Sequence, residues 1–186
     1  MTQRDEKGKP HLKEVRKMKK VVLMPVMAIV ALLMITPVMA AATKTFVTGE
    51  FFGYATASGT QWMSEEGIVQ IRDAVGTGWL TGDIPGIMTF TMNAAFDPAT
   101  GTGRAWGTYV SSDSYGNTFE GTWLMSVSYW GNYIDGRSEG HGTGAYDGML
   151  LINRFWGYNM YFGVPIPPFP KGTPIYFYFE GPIISP

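Results

Sequence analysis

The 186-residue chain has no cysteine. Disulfide staples, thiolate metal sites and lipid attachment through a cysteine are therefore excluded. Histidine is scarce too: His11 lies in a basic stretch, and His141 stands alone in the rest. Zinc and copper centres need several such ligands, so no metal and no cofactor is expected. Helix-compatible runs are missing after residue 42, because 23 of the 24 glycines fall there. Each interior glycine costs a helix about 1 kcal/mol relative to alanine. There is no Gly-x-Ser-x-Gly elbow and no EF-hand spacing. Residues 140–145 spell Gly-x-Gly-x-x-Ala, but the dinucleotide fingerprint needs a helix next, and Ala145-Tyr146-Asp147-Gly148 does not supply one.

The charge that is present is unevenly placed. Residues 1–20 hold eight Lys/Arg against three acids, residues 21–42 hold none, and residues 43–186 hold six basic and twelve acidic side chains. A basic leader thus precedes an acidic domain, which excludes a nucleic-acid-binding domain. Residues 21–42 (VVLMPVMAIVALLMITPVMAAA) are apolar and end in small residues. Basic, apolar, then small is the secretory order. Val38-Met39-Ala40 suits cleavage near Ala40, and Ala40-Ala41-Ala42 suits cleavage near Ala42. Met18-Lys19-Lys20 reads as a second candidate start. The alternative is an uncleaved anchor, since a span of about 30 Å of hydrocarbon needs ~20 apolar residues. Both readings send residues 43–186 out of the cytoplasm, secreted or in the cell envelope. Membrane contact is expected only through residues 21–42, if they are retained.

All 27 aromatics follow residue 42, so the domain at 43–186 has large groups to bury. Period-2 alternation is clear. In 86–96, Met88, Phe90, Met92 and Ala94 share one side. In 117–129, Phe119, Gly121, Trp123, Met125, Val127 and Tyr129 do so. This marks half-buried antiparallel strands. Strands are expected at 44–57, 67–74, 78–84, 86–96, 103–112, 117–129, 143–153 and 174–181. Turns are expected at 97–101, 113–117, Gly131-Asn132 and Asp135-Gly136. Residues 154–173 carry four prolines and read as a long aromatic-rich loop. The fold class is all-β: one antiparallel barrel of about eight strands. Gly-Thr-Gly-x-x-x-Gly occurs at 76–82, 101–107 and 142–148. In a strand its glycines leave a bare stripe, for barrel closure or for close approach of a ring or ligand.

The run 139–150 (EGHGTGAYDGML), with Phe119-Glu120-Gly121-Thr122-Trp123 and Phe179-Glu180-Gly181, resembles the barrel family of allene oxide cyclases and dirigent proteins. The resemblance covers most of 44–181. It implies an eight-stranded antiparallel barrel with a ligand-sized interior. Members cyclise fatty-acid epoxides or steer radical coupling by holding a reactive substrate in shape. No catalytic position of that family matches a residue here.

Three functions follow as expectations. The first is non-catalytic binding of a small apolar or aromatic ligand in the barrel, with Trp79, Trp106, Tyr146 and Trp123 as ring-bearing candidates. The second is a cofactor-free isomerase or cyclase. Its acid or base would be Glu120, partnered by Arg104, if the Phe119/Trp123/Met125 face packs outward and turns Glu120 inward. The third is a cell-surface structural or adhesion module using exposed aromatics. Glu50, Asp147 and Glu180 are expected to face water, His141 to lie in an exposed loop, and 113–117 and 135–139 are acidic loops of the kind that hold calcium. Strand edges leave pairing into a homo-oligomer open.

Overall fold

The computed structural model describes residues 41–128, 133–158 and 170–186. They form nine antiparallel strands: β1 (Thr43–Ala57), β2 (Thr60–Met63), β3 (Val69–Gly82), β4 (Gly86–Asp97), β5 (Thr102–Ser112), β6 (Thr118–Ser128), β7 (Tyr133–Thr143), β8 (Leu150–Tyr158) and β9 (Pro174–Ser185). The order β1-β9-β8-β7-β6-β5-β4-β3 is closed by pairing of β1 with β3, so eight strands make a barrel and β2 is extra. β2 runs beside the first part of β3, with Thr60 opposite Arg72 and Met63 opposite Val69. The turn before it uses Gly59 at φ 65°, where a Cβ would overlap the Arg72 carbonyl.

The class and the strand number agree with the sequence reading, but the assignments shift. β3 is one strand where two were expected. Its register slips between Ile71 and Ala74, with Asp73 at φ 57° and its N–H donating to Asn93 Oδ1 at 3.3 Å. This bulge moves the buried side from Val69 and Ile71 to Ala74, Gly76, Gly78 and Leu80; a period-2 reading loses phase there. β7 runs straight through Asp135-Gly136, where a turn was expected. The strand expected from 143 starts at Leu150, after a 3-10 turn at Gly144–Tyr146. Residues 154–158 continue β8 instead of opening the loop. Gly131-Asn132 and residues 159–169 lie outside the described residues, as do residues 1–40, on which the expected leader falls.

Alternation puts one side of every barrel strand inside. Five inward rings touch in a closed circuit around the waist. Phe51 stacks on Phe177 at 4.7 Å and meets Phe90 edge-on at 6.0 Å; Phe90 meets Trp123 at 6.1 Å; Trp123 meets Phe155 at 6.5 Å; Phe155 meets Phe177 at 5.1 Å. Glycines make the room. A Cβ at Gly76 would overlap the Phe90 ring, one at Gly136 the Phe155 ring, and one at Gly78 the Phe51 ring. In the repeat at 76–82 the first two glycines thus admit rings, and in the repeat at 101–107 Gly103 and Gly107 lie against the Phe96 and Trp123 rings, while Gly82 and Gly101 take positive φ of 93° and 70°. The third repeat departs from the expected strand, since Gly144 and Gly148 sit in a turn with φ of 66° and 77°.

The outward side carries the charge. Glu50, Arg104, Glu120, Arg137, Glu139 and Arg154 are all exposed along the strands. The same side also exposes large apolar residues, among them Phe52, Trp79, Ile87 and Leu124. Among the described residues no helix is long and apolar enough to cross a membrane.

The register makes a sharp prediction about two adjacent residues. Phe51 is 0 % exposed and Phe52 is 48 % exposed. Phe51→Ala should cost about 3–5 kcal/mol, and Phe52→Ala no more than about 1 kcal/mol. Urea unfolding midpoints test this; similar losses from both would contradict the inward assignment.

Candidate functional site

The strands converge on an incompletely filled interior. One end, where β2 meets β3 and β4 meets β5, is plugged by buried Val69, Ile71, Ala74, Phe96, Ala105 and Val127. Away from this plug lies a cavity of about 100 Å³. Phe90, Trp123, Phe155 and Phe177 of the ring circuit wall it, and Ile84 from the β3–β4 loop approaches from the opposite end. Met88, Met92 and Met125 also line it. Unbranched thioether chains adapt to irregular shapes, so these walls can yield.

Five residues with polar side-chain groups interrupt the apolar lining: Tyr109, Ser111, Ser138, Asn153 and Tyr176, the last with its hydroxyl turned to Tyr178 and Glu50. Tyr109 on β5 lies opposite Gly121 of β6, which lies opposite Gly140 of β7. With no side chain in its way, the Tyr109 ring reaches across β6, and its hydroxyl fills the place of a Cβ at Gly140. Ser138 of β7 faces Asn153 of β8 directly. Ser111 Oγ donates to the Phe119 carbonyl at 3.4 Å. The other groups are less well served. Tyr109 Oη and Asn153 Oδ1 are buried without a hydrogen-bond partner. Burial pushes the Tyr109 hydroxyl up to about 12, with Ser138 beside it opposing the shift; the pair does not meet hydrogen-bond geometry. Tyr109 therefore stays a neutral O–H donor at ordinary pH. No Asp, Glu, Lys, Arg or His is among the described lining residues.

The residues singled out from sequence fall in different places. Trp123 faces the cavity, with its Nε1–H donating to the Thr108 carbonyl at 3.2 Å. Trp79 is exposed on the outer face. Trp106 is also on the outside, under the Arg72 guanidinium, which sits 5.2 Å from its ring and 5.4 Å from that of Trp62. Tyr146 stacks on Phe119 at 4.7 Å, at one end of the barrel. Glu120 and Arg104 both point to solvent and do not meet: Glu120 lies opposite Val110 and His141, whereas Arg104 lies opposite Ala95 and Ser126. The Phe119/Trp123/Met125 side packs inward, so the arrangement that would turn Glu120 inward does not occur. His141 is exposed, on β7 rather than in a loop, and Asp147 is in a turn. Residues 135–139 are strand, and Asp135 pairs with Arg154 at 3.1 Å.

Asp113 organises the end of the barrel near Ile84. Its carboxylate accepts from the Asn117 side chain at 2.8 Å, the Tyr146 hydroxyl at 2.9 Å, and the N–H groups of Tyr115 and Asn117 at 2.8 and 2.9 Å. The Asn117 amide, foremost among these donors, holds the acid at about 2 against an ordinary 3.8. Asn117 Oδ1 in turn accepts from Ala145 N–H at 2.8 Å. A small crevice here shares Leu80, Ile84 and Ser111 with the cavity. The crevice and the cavity therefore adjoin at these three residues.

A depressed carboxyl stabilises the fold above its unfolded pKa and loses that contribution as pH falls toward its folded one. Wild type should therefore lose stability between pH 3.8 and about 2 through Asp113. Asp113→Asn should be less stable near neutrality but show a flatter decline over that interval. Asp97, also held low in its own turn, is common to both proteins and drops out of the difference. Parallel urea-midpoint curves for the two proteins would show that Asp113 makes no such contribution. No protein-family model, curated protein sequence or solved structure matches the chain.

Proposed function

We propose that the protein binds a small, predominantly apolar ligand inside its barrel and does not transform it. One observation carries this reading: an apolar cavity with methionines in its wall and a few polar groups facing in. Concave, mostly apolar sites with sparse polar groups are the usual form of small-molecule sites. Size sets a limit. The cavity of about 100 Å³ is smaller than the ~150 Å³ cavity that takes up benzene in an engineered protein. A single ring is therefore the upper limit of the natural occupant, admitted as the methionine wall yields a little, and larger molecules require it to move further. The resemblance to allene oxide cyclase-like and dirigent-like barrels supports taking the interior as the working part. The order of residues 1–42 supports action outside the cytoplasm.

The isomerase or cyclase reading has less support. Its candidate acid and base, Glu120 and Arg104, stand on the outer surface, and the described lining residues offer no carboxylate or imidazole. The surface-module reading draws on one feature: Phe52, Trp79 and Ile87 adjoin across β1, β3 and β4, and each is exposed.

A thermal-shift series on the full chain with monocyclic, bicyclic and long-chain apolar compounds tests the ligand reading. A ligand at a hundred times its Kd stabilises by about 2.7 kcal/mol, or roughly 5–10 °C for a domain of this size. The largest shift is expected from monocyclic compounds, and Met88→Trp, which fills the cavity, should reduce it at least twofold. No shift from any of the three classes would overturn the reading.

A further inference from the structure

The two unpartnered groups in the cavity are unusual in their placement. Tyr109 is 6 % exposed and Asn153 is 8 % exposed, yet Tyr109 Oη and Asn153 Oδ1 have no partner. Leaving such a group unsatisfied costs about 1–3 kcal/mol, and phenylalanine or leucine would fill either position without that cost. Both belong to the wall of the same cavity. The Tyr109 hydroxyl lies over Gly140, Ser138 is two residues from Gly140 on the same strand, and Asn153 is directly opposite Ser138. One pleat repeat is about 6.6 Å and one strand spacing about 4.8 Å, so the two side chains flank one small region of the wall.

Their chemistry is complementary rather than redundant. Tyr109 supplies an O–H donor, and Asn153 Oδ1 is an acceptor. A single hydroxyl satisfies both, accepting from one and donating to the other. A carboxylate could accept from Tyr109 but would offer nothing to Asn153 Oδ1, and it would be buried without a counter-charge among the described lining residues. An isolated buried anion is strongly disfavoured. A pure hydrocarbon would leave both groups orphaned.

We infer that Tyr109 and Asn153 form the polar end of the ligand site and select a small neutral ring bearing one hydroxyl, a phenol or cyclic alcohol, over the matching hydrocarbon and over an anion. This deepens the ligand-binding reading and rests on it. The hydroxyl lies between Tyr109 Oη and Asn153 Oδ1, and the ring lies among the aromatic and methionine side chains.

The test compares phenol, toluene and benzoate at pH 7 by calorimetric titration of the full chain. Phenol and toluene are nearly the same shape and differ in the group placed at the polar end. Wild type should bind phenol at least about tenfold more tightly than toluene and should not bind benzoate in the same range. Tyr109→Phe and Asn153→Leu each remove an orphan group without opening a hole. Each variant should keep or gain thermal stability, and each should cut the phenol preference several-fold; the double variant should favour toluene. Toluene binding equal to or tighter than phenol in wild type would overturn the selectivity and leave the apolar-ligand reading standing. That result would mean that water already occupies the polar end. Benzoate binding comparable to phenol would overturn the requirement for a neutral ligand. Failure of all three compounds to bind would overturn both readings together. Unchanged phenol preference in both single variants would overturn the assignment to these residues.

Discussion

The barrel rests on one packing constraint: its large rings can sit inside only where a neighbouring strand presents no side chain. Eight strands enclose an interior just wide enough for side chains to fill. Five touching aromatics at one level exceed that width unless some positions are bare. The division of labour follows strand order. β4, β6 and β8 contribute Phe90, Trp123 and Phe155, while β3, β5 and β7 contribute Gly76, Gly107 and Gly136 beside them. A slip of one residue in any of these pairings would turn rings outward and set Cβ atoms against the rings that remain. The glycines therefore fix register as much as they allow curvature.

The cavity follows from the same arrangement. Along β7, after Ile134, the inward residues Gly136, Ser138, Gly140 and Gly142 are all small. Phe155 and the Tyr109 hydroxyl occupy two of the places they leave open, and Tyr146 occupies a third. Opposite Ser138 no ring fills the space; Asn153 is there instead. The small wall that admits the rings thus also leaves room for something else, and its polar groups lie where that room is.

The sequence showed the class of this fold plainly, because β4 and β6 alternate cleanly between apolar and polar residues. It concealed β7 for a physical reason. That strand alternates small with charged residues, and its inward side has little hydrophobicity because neighbouring strands supply the bulk. A period-2 pattern divides β3 in two, because the bulge at Asp73 resets which residues face in. Ring size is a poor guide to the cavity lining: of the three candidate tryptophans, Trp79 and Trp106 face out and Trp123 reaches the cavity. A parity signal for the true lining was present. Tyr109 and Ser111 share their side of β5 with Gly103, Ala105 and Gly107, and Asn153 falls between Leu151 and Phe155 on the inward side of β8. A polar residue in an otherwise apolar inward register is the stronger cue, since burial makes it costly. Glu120, by contrast, lies on the polar side of its strand, where a carboxylate needs no further explanation.

This partition of charge also limits what the interior can do. Each described strand residue that carries formal charge points outward, and the groups facing the cavity are neutral at ordinary pH. What the described lining residues offer is neutral hydrogen-bonding groups, which can orient. Hydrogen bonds are stronger in a low-dielectric interior than in water, so two fixed neutral groups suffice to orient the small ring proposed to bind there. The closed barrel leaves no free strand edge beside the chamber, and among the described residues aliphatic side chains and Phe96 fill the end away from Ile84. At the Ile84 end the Asp113–Tyr146 hydrogen bond ties loops together across the strands. The sheet thus shapes the chamber, and polar contacts between its loops hold the described rim in place.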